Sequence, residues 1–245
     1  MTRVLIVLSA ADQWTLNDGT THPTGYWAEE FAEPHRLFTE AGWDITIATP
    51  GGVAPTIEPA SLRPDSFGLK DKSVAILDYI GSASDELDEP RALESINVAD
   101  FDVVFYPGGH APMEDLSGDE ASGSLLTTAL ESGRIIGVLC HGPAALLPAT
   151  DNDGRWPFVG YRMTGFTDAE EALAGMASKA PWLLQARLIE LGADFIEGAP
   201  FTPHVEVDRL LYTGQNPASA VMLAERIIAA VNGADADADQ GDGQG

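Results

Sequence analysis

Cysteine and long apolar runs are scarce in this chain of 245 residues, and each shortage excludes a class of protein. The single cysteine, Cys140, can form neither an internal disulfide nor a metal cluster of several thiolates. No apolar run reaches about 18 residues, so we expect no transmembrane helix. The short apolar run after Arg3 is followed by acidic Asp12 rather than by a cleavage site, so we expect a cytoplasmic protein without a secretory signal.

Basic residues are also few. Lys and Arg together number 13 against 38 Asp and Glu, which gives a formal net charge of −25. This balance argues against nucleic acids and anionic membranes as partners held by bulk attraction. Lysine occurs only as Lys70, Lys72 and Lys179. Two explanations fit this acidity: adaptation to a saline cytoplasm, where salt screens the repulsion, or a GC-rich genome that favours Arg together with an acidic tail.

Short apolar segments alternate with helical patterns along residues 1–233, which predicts a single α/β domain. A mostly parallel sheet with helices on both faces is the architecture that this alternation favours. Strands are predicted at 4–8, 44–49, 103–106, 134–139 and near 161–165, with a strand pair in 195–213. Helices are predicted at 25–41, 86–96, 119–132, 168–177, 181–191 and 216–232, the last capped by Asn216. Residues 53–85, interrupted by prolines, are expected to form loops with a short helix or hairpin. Residues 234–245 have no large apolar side chain and are predicted to be a disordered acidic tail.

Cys140 follows the most apolar predicted strand directly and precedes His141, Gly142 and Pro143. Ligands of doubly wound sheets bind at the carboxyl ends of the strands, where a tight strand-to-helix turn exposes a side chain. The positive end of a following helix and a neighbouring His would favour the thiolate. The alternative is that Cys140 is a small buried core residue and that His141 only fills space.

The segment Pro107-Gly108-Gly109-His110 ends the neighbouring predicted strand. Glycines at this place let backbone N–H groups approach a ligand, and with the N–H of His141 they would form an oxyanion hole. Alternatively the two glycines form an ordinary turn. His110 is expected either to line the pocket or to face solvent.

Two groups of acids are candidates for proton transfer. Glu29 and Glu30 open the first predicted helix, where they either complement the helix dipole or point a carboxylate into the site. A buried carboxylate beside a thiolate would have a raised pKa and would exchange protons near neutrality.

The second group is in Thr164-Gly165-Phe166-Thr167-Asp168-Ala169-Glu170-Glu171. One of these acids would orient the His141 imidazole as the third member of a triad. Alternatively, Thr167 or Asp168 caps the next helix and Glu170 or Glu171 binds its first amides. Three further histidines have no metal-ligand spacing and are taken as ordinary: His22, His35 and His204.

Five collinear segments together resemble one known family. They are TGYWAEEFAEPHRLFTEAGWDITIATPGG, FDVVFYPGGHAPMEDL, VLCHGPAAL, MTGFTDAEE and LLYTGQNPASA. They are similar to the ThiJ/PfpI superfamily, also called class I glutamine amidotransferase-like. Within it they resemble the branch of glutathione-independent glyoxalases, known as glyoxalase III, and heat-shock chaperone-like proteins. The resemblance implies a flavodoxin-like α/β/α sandwich.

The resemblance also implies roles for particular residues. Cys140 matches the nucleophile and His141 its partner, while Glu30, four positions before a proline in WAEEFAEP, matches the acid that contacts the cysteine. Glu171 matches the acid that supports the histidine, with Asp168 as the alternative. The oxyanion hole and substrate contacts are expected from Gly108, Gly109, His110 and the backbone of His141.

Two departures from the family pattern qualify these expectations. Ala111 replaces the last glycine of the usual PGGHG, which is a mild change. Thr39 and Asp44 stand where some relatives place a histidine and an acid that bind metal, so we expect no metal and no other cofactor.

The leading hypothesis from this resemblance is a cofactor-independent glyoxalase that converts methylglyoxal or related 2-oxoaldehydes to 2-hydroxy acids through a Cys140 hemithioacetal. One alternative is a redox-sensing stress protein or holdase chaperone with an oxidisable Cys140. Another is a Cys140-dependent hydrolase or deglycase. Glutamine amidotransfer is disfavoured because His204 is the only histidine downstream of the Cys140–His141 pair. A homodimer is expected by analogy alone.

Overall fold

The structure of the protein, a computed structural model, describes residues 1–63 and 73–233. The predicted acidic tail at 234–245 and part of the predicted loop segment therefore lie outside the described residues. None of the helices in the described part of the chain combines the length and apolar character that crossing a bilayer requires.

The described residues form eleven strands and seven α-helices. The strands are β1 (Arg3–Val7), β2 (Gln13–Thr15), β3 (Thr21–Pro23), β4 (Asp44–Thr49), β5 (Arg91–Ala92), β6 (Val103–Tyr106), β7 (Ile135–Leu139), β8 (Arg162–Met163), β9 (Asp194–Phe195), β10 (Val205–Asp208) and β11 (Leu211–Gly214). The helices are α1 (Ala28–Glu40), α2 (Ser73–Ser82), α3 (Ser84–Asp88), α4 (Glu120–Glu131), α5 (Asp168–Leu173), α6 (Leu184–Glu190) and α7 (Ala220–Val231).

Seven strands form the central sheet in the order β10-β11-β7-β6-β1-β4-β5. Every neighbouring pair is parallel except β10 and β11, which form an antiparallel hairpin at one edge. Two small sheets lie outside it, the antiparallel hairpin β2–β3 and the parallel pair β8–β9. The prediction of a mostly parallel, flavodoxin-like sheet is confirmed.

Two apolar cores hold the helices against opposite faces of this sheet. Alternate residues of a strand point to opposite faces, and in β1 Val4 packs with α1 and α7 whereas Leu5 packs with α4. The strands of the centre are buried throughout. The carboxyl ends of β6 and β7 therefore lie side by side, and the loops that follow them meet at one edge.

Three predicted helices differ from the structure. The helix expected at 86–96 ends at Asp88, because Pro90 disfavours helical backbone in the residue before it, and β5 follows. The helix expected after Cys140 is a 3₁₀ helix of five residues, Gly142–Leu146. The last α-helix begins only at Ala220, after a 3₁₀ turn, and the side chain of Asn216 does not cap it.

Candidate active site

Cys140 occupies the turn that follows β7, and its backbone is held in an uncommon conformation. Its φ is 58°, in the left-handed region that non-glycine residues rarely adopt. Its N–H donates to the carbonyl of Gly214 at 2.9 Å, and its carbonyl accepts the N–H of Phe166 at 2.8 Å. Such strain costs about 1–3 kcal/mol and persists where the surroundings over-determine it. The turn thus fixes the direction of the thiol.

The glycines that follow β6 allow the two loops to approach. A Cβ on Gly108 would lie 2.7 Å from the His141 nitrogen and 2.8 Å from both the Cys140 Cβ and Glu30 Oε2. Gly109 has a φ of +94°, and a Cβ there would lie 2.1 Å from the carbonyl oxygen of Gly25. These contacts leave no room for a side chain, so both positions need glycine for the loops to approach this closely.

Glu30 reaches the same point from the first turn of α1. It is fully buried, and its Oε2 accepts the N–H of Gly108 at 2.7 Å. Burial raises the pKa of Glu30 to about 8, although a hydrogen bond with the Cys140 thiol and the one from Gly108 oppose the shift. A carboxyl group with this pKa exchanges protons near neutrality, as expected. The N–H of Gly108 is occupied by Glu30, which differs from the expectation that it serves an oxyanion hole.

The Cys140 thiol is 2% exposed and borders a cavity. Burial and the neighbouring charge of Glu30 raise its pKa, whereas the N–H of Gly109 lowers it. The predicted helix dipole is weaker than expected, since only a five-residue 3₁₀ helix follows. The resting thiol therefore keeps its proton at neutral pH, and thiolate formation needs an adjacent proton acceptor.

His141 is the adjacent acceptor. Its Nδ1 lies 3.4 Å from the Cys140 Sγ, and its Nε2 lies 2.8 Å from Glu171 Oε2. If Nε2–H donates to the carboxylate, Nδ1 presents its lone pair to the thiol. Burial lowers the pKa of His141, and the charge of His110 lowers it further. The imidazole is thus a neutral base at physiological pH.

Glu171 lies in the first turn of α5, and the capping box of this helix explains the position of Glu171. The Thr167 side chain accepts the N–H of Glu170 while Glu170 accepts the N–H of Thr167, which fixes the first turn. Glu171 then points to His141, as expected of the supporting acid. Asp168, the alternative, makes no contact with His141; its N–H donates to Gln185.

His110 lies inside the site rather than in solvent. Its Nε2 is 2.9 Å from Glu171 Oε1, and its ring stacks on Trp14 with centroids 4.7 Å apart. Its ring centroid is 4.3 Å from that of His141. Trp14 comes from the β2–β3 hairpin, which the sequence patterns did not predict.

A cavity of about 440 Å³ opens onto these groups. Its floor is formed by Cys140, His141, His110 and Gly109, and most of the remaining wall is apolar. The apolar part is formed by Pro23, Trp27, Pro59, Ala60, Phe166, Ala174, Met176, Phe201 and Pro217. His22, Glu58 and Arg63 add polar surface. Such a wall suits a small carbonyl compound with an apolar substituent.

A second carboxylate of α5 shapes this wall and was not singled out as a site residue. Glu170 Oε1 accepts the N–H of Phe201 and the Nδ2 of Asn216, both at 2.8 Å. Phe201 has a φ of 54° and borders the cavity. Two of the three histidines that were taken as ordinary lie outside the cavity: His35 binds Tyr79 and Glu86, and His204 pairs with Glu206. The third, His22, borders the cavity.

The possible ligand atoms of His110, His141 and Glu171 lie within 4.8 Å of one another, a spacing that could hold a metal ion. Each imidazole Nε2 is, however, at direct hydrogen-bond distance from its own oxygen of Glu171. These hydrogen bonds connect all three groups, so we assign the cluster as hydrogen-bonded. The absence of a metal stays a prediction.

Comparisons with known proteins place this architecture. The chain is 29% identical over 237 residues to glyoxalase 3 of Candida albicans, covering 94% of this chain and 98% of that protein. It is 29% identical over 237 residues to the protein/nucleic acid deglycase HchA of Staphylococcus aureus, covering 92% of this chain and 78% of that protein. The crystal structure of Candida albicans glyoxalase III superposes with a TM-score of 0.79 at 26% identity, covering 94% and 97% of the two chains. The profile of the DJ-1/PfpI family matches residues 23–230, and the chain belongs to that family.

Proposed function

We propose that the protein is a cofactor-independent glyoxalase that converts 2-oxoaldehydes such as methylglyoxal to 2-hydroxy acids. The observation that carries this proposal is the contact of a buried carboxyl of raised pKa, Glu30, with a thiol whose other neighbour is a neutral imidazole. Moving a proton between two carbons of a bound substrate needs a nucleophile that holds the substrate and neighbouring acid–base groups that take up and return the proton. The similarity to glyoxalase 3 supports the same conclusion.

In the first step the Cys140 sulfur adds to the aldehyde carbon. The thiol proton passes to His141 Nδ1, 3.4 Å away, as the carbon–sulfur bond forms and the carbonyl π electrons move to oxygen. The N–H groups of Gly109 and His141 are the proposed donors to that oxygen. Protonation then gives a neutral hemithioacetal.

The second step moves a proton between neighbouring carbons. Glu30 or His141 removes the proton of the former aldehyde carbon, the electron pair forms a carbon–carbon double bond, and the adjacent carbonyl oxygen takes up a proton to give an enediol. A proton then returns to the second carbon while the hydroxyl of the first carbon loses its proton, which produces a thioester of the 2-hydroxy acid. Water then attacks the thioester carbonyl, the carbon–sulfur bond breaks, and the thiol and lactate are released. One water is consumed for each methylglyoxal, with no change in overall oxidation state.

The test is incubation of the protein with methylglyoxal in the absence of glutathione. We expect lactate to accumulate with the wild type and to fall to background with Cys140→Ala. Asp168→Asn is the matched control, because Asp168 lies near the site but makes no contact with His141. Absence of lactate, or an undiminished rate from Cys140→Ala, would overturn the proposal.

Deglycation is a second candidate, favoured by the similarity to the deglycase HchA. The same thiol would attack the carbonyl-derived carbon of an adduct between methylglyoxal and an amine or thiol. The two activities are separated with a preformed N-acetylcysteine adduct. A glyoxalase removes the adduct no faster than its spontaneous dissociation, whereas a deglycase removes it faster. The −25 charge leads us to expect no nucleic-acid partner, and the homodimer likewise stays a prediction.

A further inference from the structure

One carboxylate of the site serves two histidines. Glu171 places Oε1 at 2.9 Å from His110 Nε2 and Oε2 at 2.8 Å from His141 Nε2. The side chains of all three residues are nearly excluded from solvent, at 11%, 6% and 2% exposure for His110, Glu171 and His141. An ordinary triad needs only one histidine on its acid. The second histidine therefore requires its own explanation.

The charges in this buried cluster have to balance. The hydrogen bonds from the two histidines and the positive charge on this pair outweigh burial and hold the pKa of Glu171 below its usual range, so the acid is ionised. A buried carboxylate without a cation is costly. One positive charge beside it is favourable, but two imidazolium rings with centroids 4.3 Å apart would repel each other. The stable arrangement has one charged and one neutral histidine.

His110 is the better place for the positive charge. Burial lowers its pKa, but its hydrogen bond to Glu171 and the charge of that acid produce a net rise. Its ring also stacks on Trp14 at an interplanar angle of 16°, and an aromatic face favours a cation. The hairpin that carries Trp14 is tied down where Thr15 donates its N–H and hydroxyl to Glu114 at 2.8 and 2.9 Å.

His141 is the better place for a neutral ring. Its Nδ1 faces the Cys140 thiol, a proton donor, at 3.4 Å. The other titratable groups that act on the cluster are Glu58 and His22 on the cavity wall, Glu30 beside the thiol and Asp168 on α5. None of these forms a hydrogen bond to either ring in the described part of the chain.

We propose that His110 is a positioning residue that carries the positive charge of the cluster, anchors Glu171 and thereby keeps His141 neutral. The proposal extends the proposed function, because a neutral His141 is the acceptor that the first step requires. If His110 is removed, Glu171 takes its counter-charge from His141, which becomes imidazolium. That change stabilises the Cys140 thiolate but removes the proton acceptor.

The experiment compares His110→Gln with the wild type in two measurements that need no turnover. The first is the NMR titration of the His141 ring, and the second is the pH dependence of Cys140 alkylation by iodoacetamide, followed by mass. We expect the pKa of His141 to rise by about one unit or more in the variant. We also expect alkylation near pH 6 to become about threefold faster or more, because an imidazolium neighbour favours the thiolate.

Two further variants keep the test decisive. Trp14→Leu leaves the bond to Glu171 but removes the stacked ring, and we expect a smaller shift in the same direction. His204→Gln, at a partly exposed histidine outside the cavity, should leave both measurements unchanged. An unchanged His141 titration in both the His110→Gln and Trp14→Leu proteins would overturn the inference. If the wild type produces no lactate but these shifts occur, the proposed function fails while the charge assignment stands.

Discussion

Gly108 donates its N–H to Glu30 Oε2 at 2.7 Å, so the loop after β6 fixes the acid of α1 beside the nucleophile. Two elements far apart in sequence therefore meet at Gly108, whose carbonyl also accepts the N–H of Trp27 at 3.0 Å. The consequence is that the position of the acid depends on a residue that has no side chain.

Replacing this glycine tests that dependence. In Gly108→Ala the new methyl group would lie 2.7–2.8 Å from atoms of His141, Cys140 and Glu30, and the loops would have to separate. A misplacement of about 1 Å costs roughly a hundredfold in rate, so we expect kcat/KM for methylglyoxal to fall by that factor or more. Gly118→Ala is the control, because no atom lies within 4 Å of a Cβ there. Equal activity of the two variants would contradict the structural argument.

The raised pKa of Glu30 predicts how stability changes with pH. The folded protein keeps a proton on Glu30 up to about pH 8, whereas the unfolded chain loses it near the ordinary glutamate pKa of 4.5. Between these values the unfolded chain binds fewer protons, so the contribution of Glu30 to the free energy of unfolding declines as pH rises and is lowest above about pH 8.

Glu30→Gln removes this contribution. We expect the variant to gain stability relative to the wild type as the pH is raised from 5 to 8.5, as measured by urea unfolding. Glu40→Gln, an exposed acid on the same helix, should follow the wild-type pH dependence. A constant difference between Glu30→Gln and the wild type across this range would show that the acid is ionised throughout.

Glu171 and Asp168 are distinguished by substitution with their amides. Glu171→Gln leaves the charge of His110 without its partner and allows the wrong tautomer of His141, and we expect kcat to fall by about a hundredfold or more. Asp168→Asn should retain most of the activity. The reverse order would assign the supporting role to Asp168.

The ionisation of Glu171 also affects stability. Its pKa is lowered on folding, so its contribution is present above the ordinary glutamate pKa of 4.5 and is lost as the pH falls through the lower folded pKa. Wild type should therefore lose stability relative to Glu171→Gln in acid. Urea unfolding at pH 3.5 and pH 7 measures this difference, and a pH-independent difference would contradict the ion-pair assignment.

The cavity is larger than methylglyoxal requires and has aromatic walls. Burying about 100 Å² of additional apolar surface contributes roughly 2.5 kcal/mol. We therefore expect kcat/KM to be about tenfold higher or more for phenylglyoxal than for methylglyoxal. Ala174→Phe, which fills the cavity from the end of α5, should abolish this preference while retaining methylglyoxal turnover. Equal rates for the two substrates in the wild type would mean that the wall does not contact the substituent.

The net charge predicts a response to salt. With 38 acidic and 13 basic residues, self-repulsion is strongest at low ionic strength, where the Debye length is long. We expect the Tm to rise by at least about 3 °C between 50 mM and 1 M KCl, roughly 1 kcal/mol for a chain of this size. An equal Tm at both KCl concentrations would exclude adaptation to a saline cytoplasm as the explanation.

The sequence predicted the sheet well because its strands are buried and nearly continuous in apolar residues, as in β6 and β7. It placed Cys140, His141 and the glycines at strand ends, and the parallel pairing of β6 and β7 brings these residues together. Their catalytic roles stay a prediction. The β2–β3 hairpin was missed, since three-residue strands with one buried side chain, Trp14, leave almost no periodic signal.

The short helix after Cys140 and the role of Asn216 could not be predicted either. In each case a tertiary hydrogen bond or close contact overrides the local preference. Asn216 has the residue type of a helix cap, but its Nδ2 donates to Glu170 and to the carbonyl of Thr202. Neither partner is local to Asn216 in the chain.

Glu170 and Glu171 are consecutive residues on one helical turn, yet their carboxylates bind different partners. The first holds the backbone of Phe201 on the cavity wall, and the second holds the imidazole of His141. Any displacement of α5 that widens the chamber for a bulkier molecule also draws the carboxylate away from the ring. The shape of the cavity wall and the support of the imidazole therefore depend on the position of the same short helix.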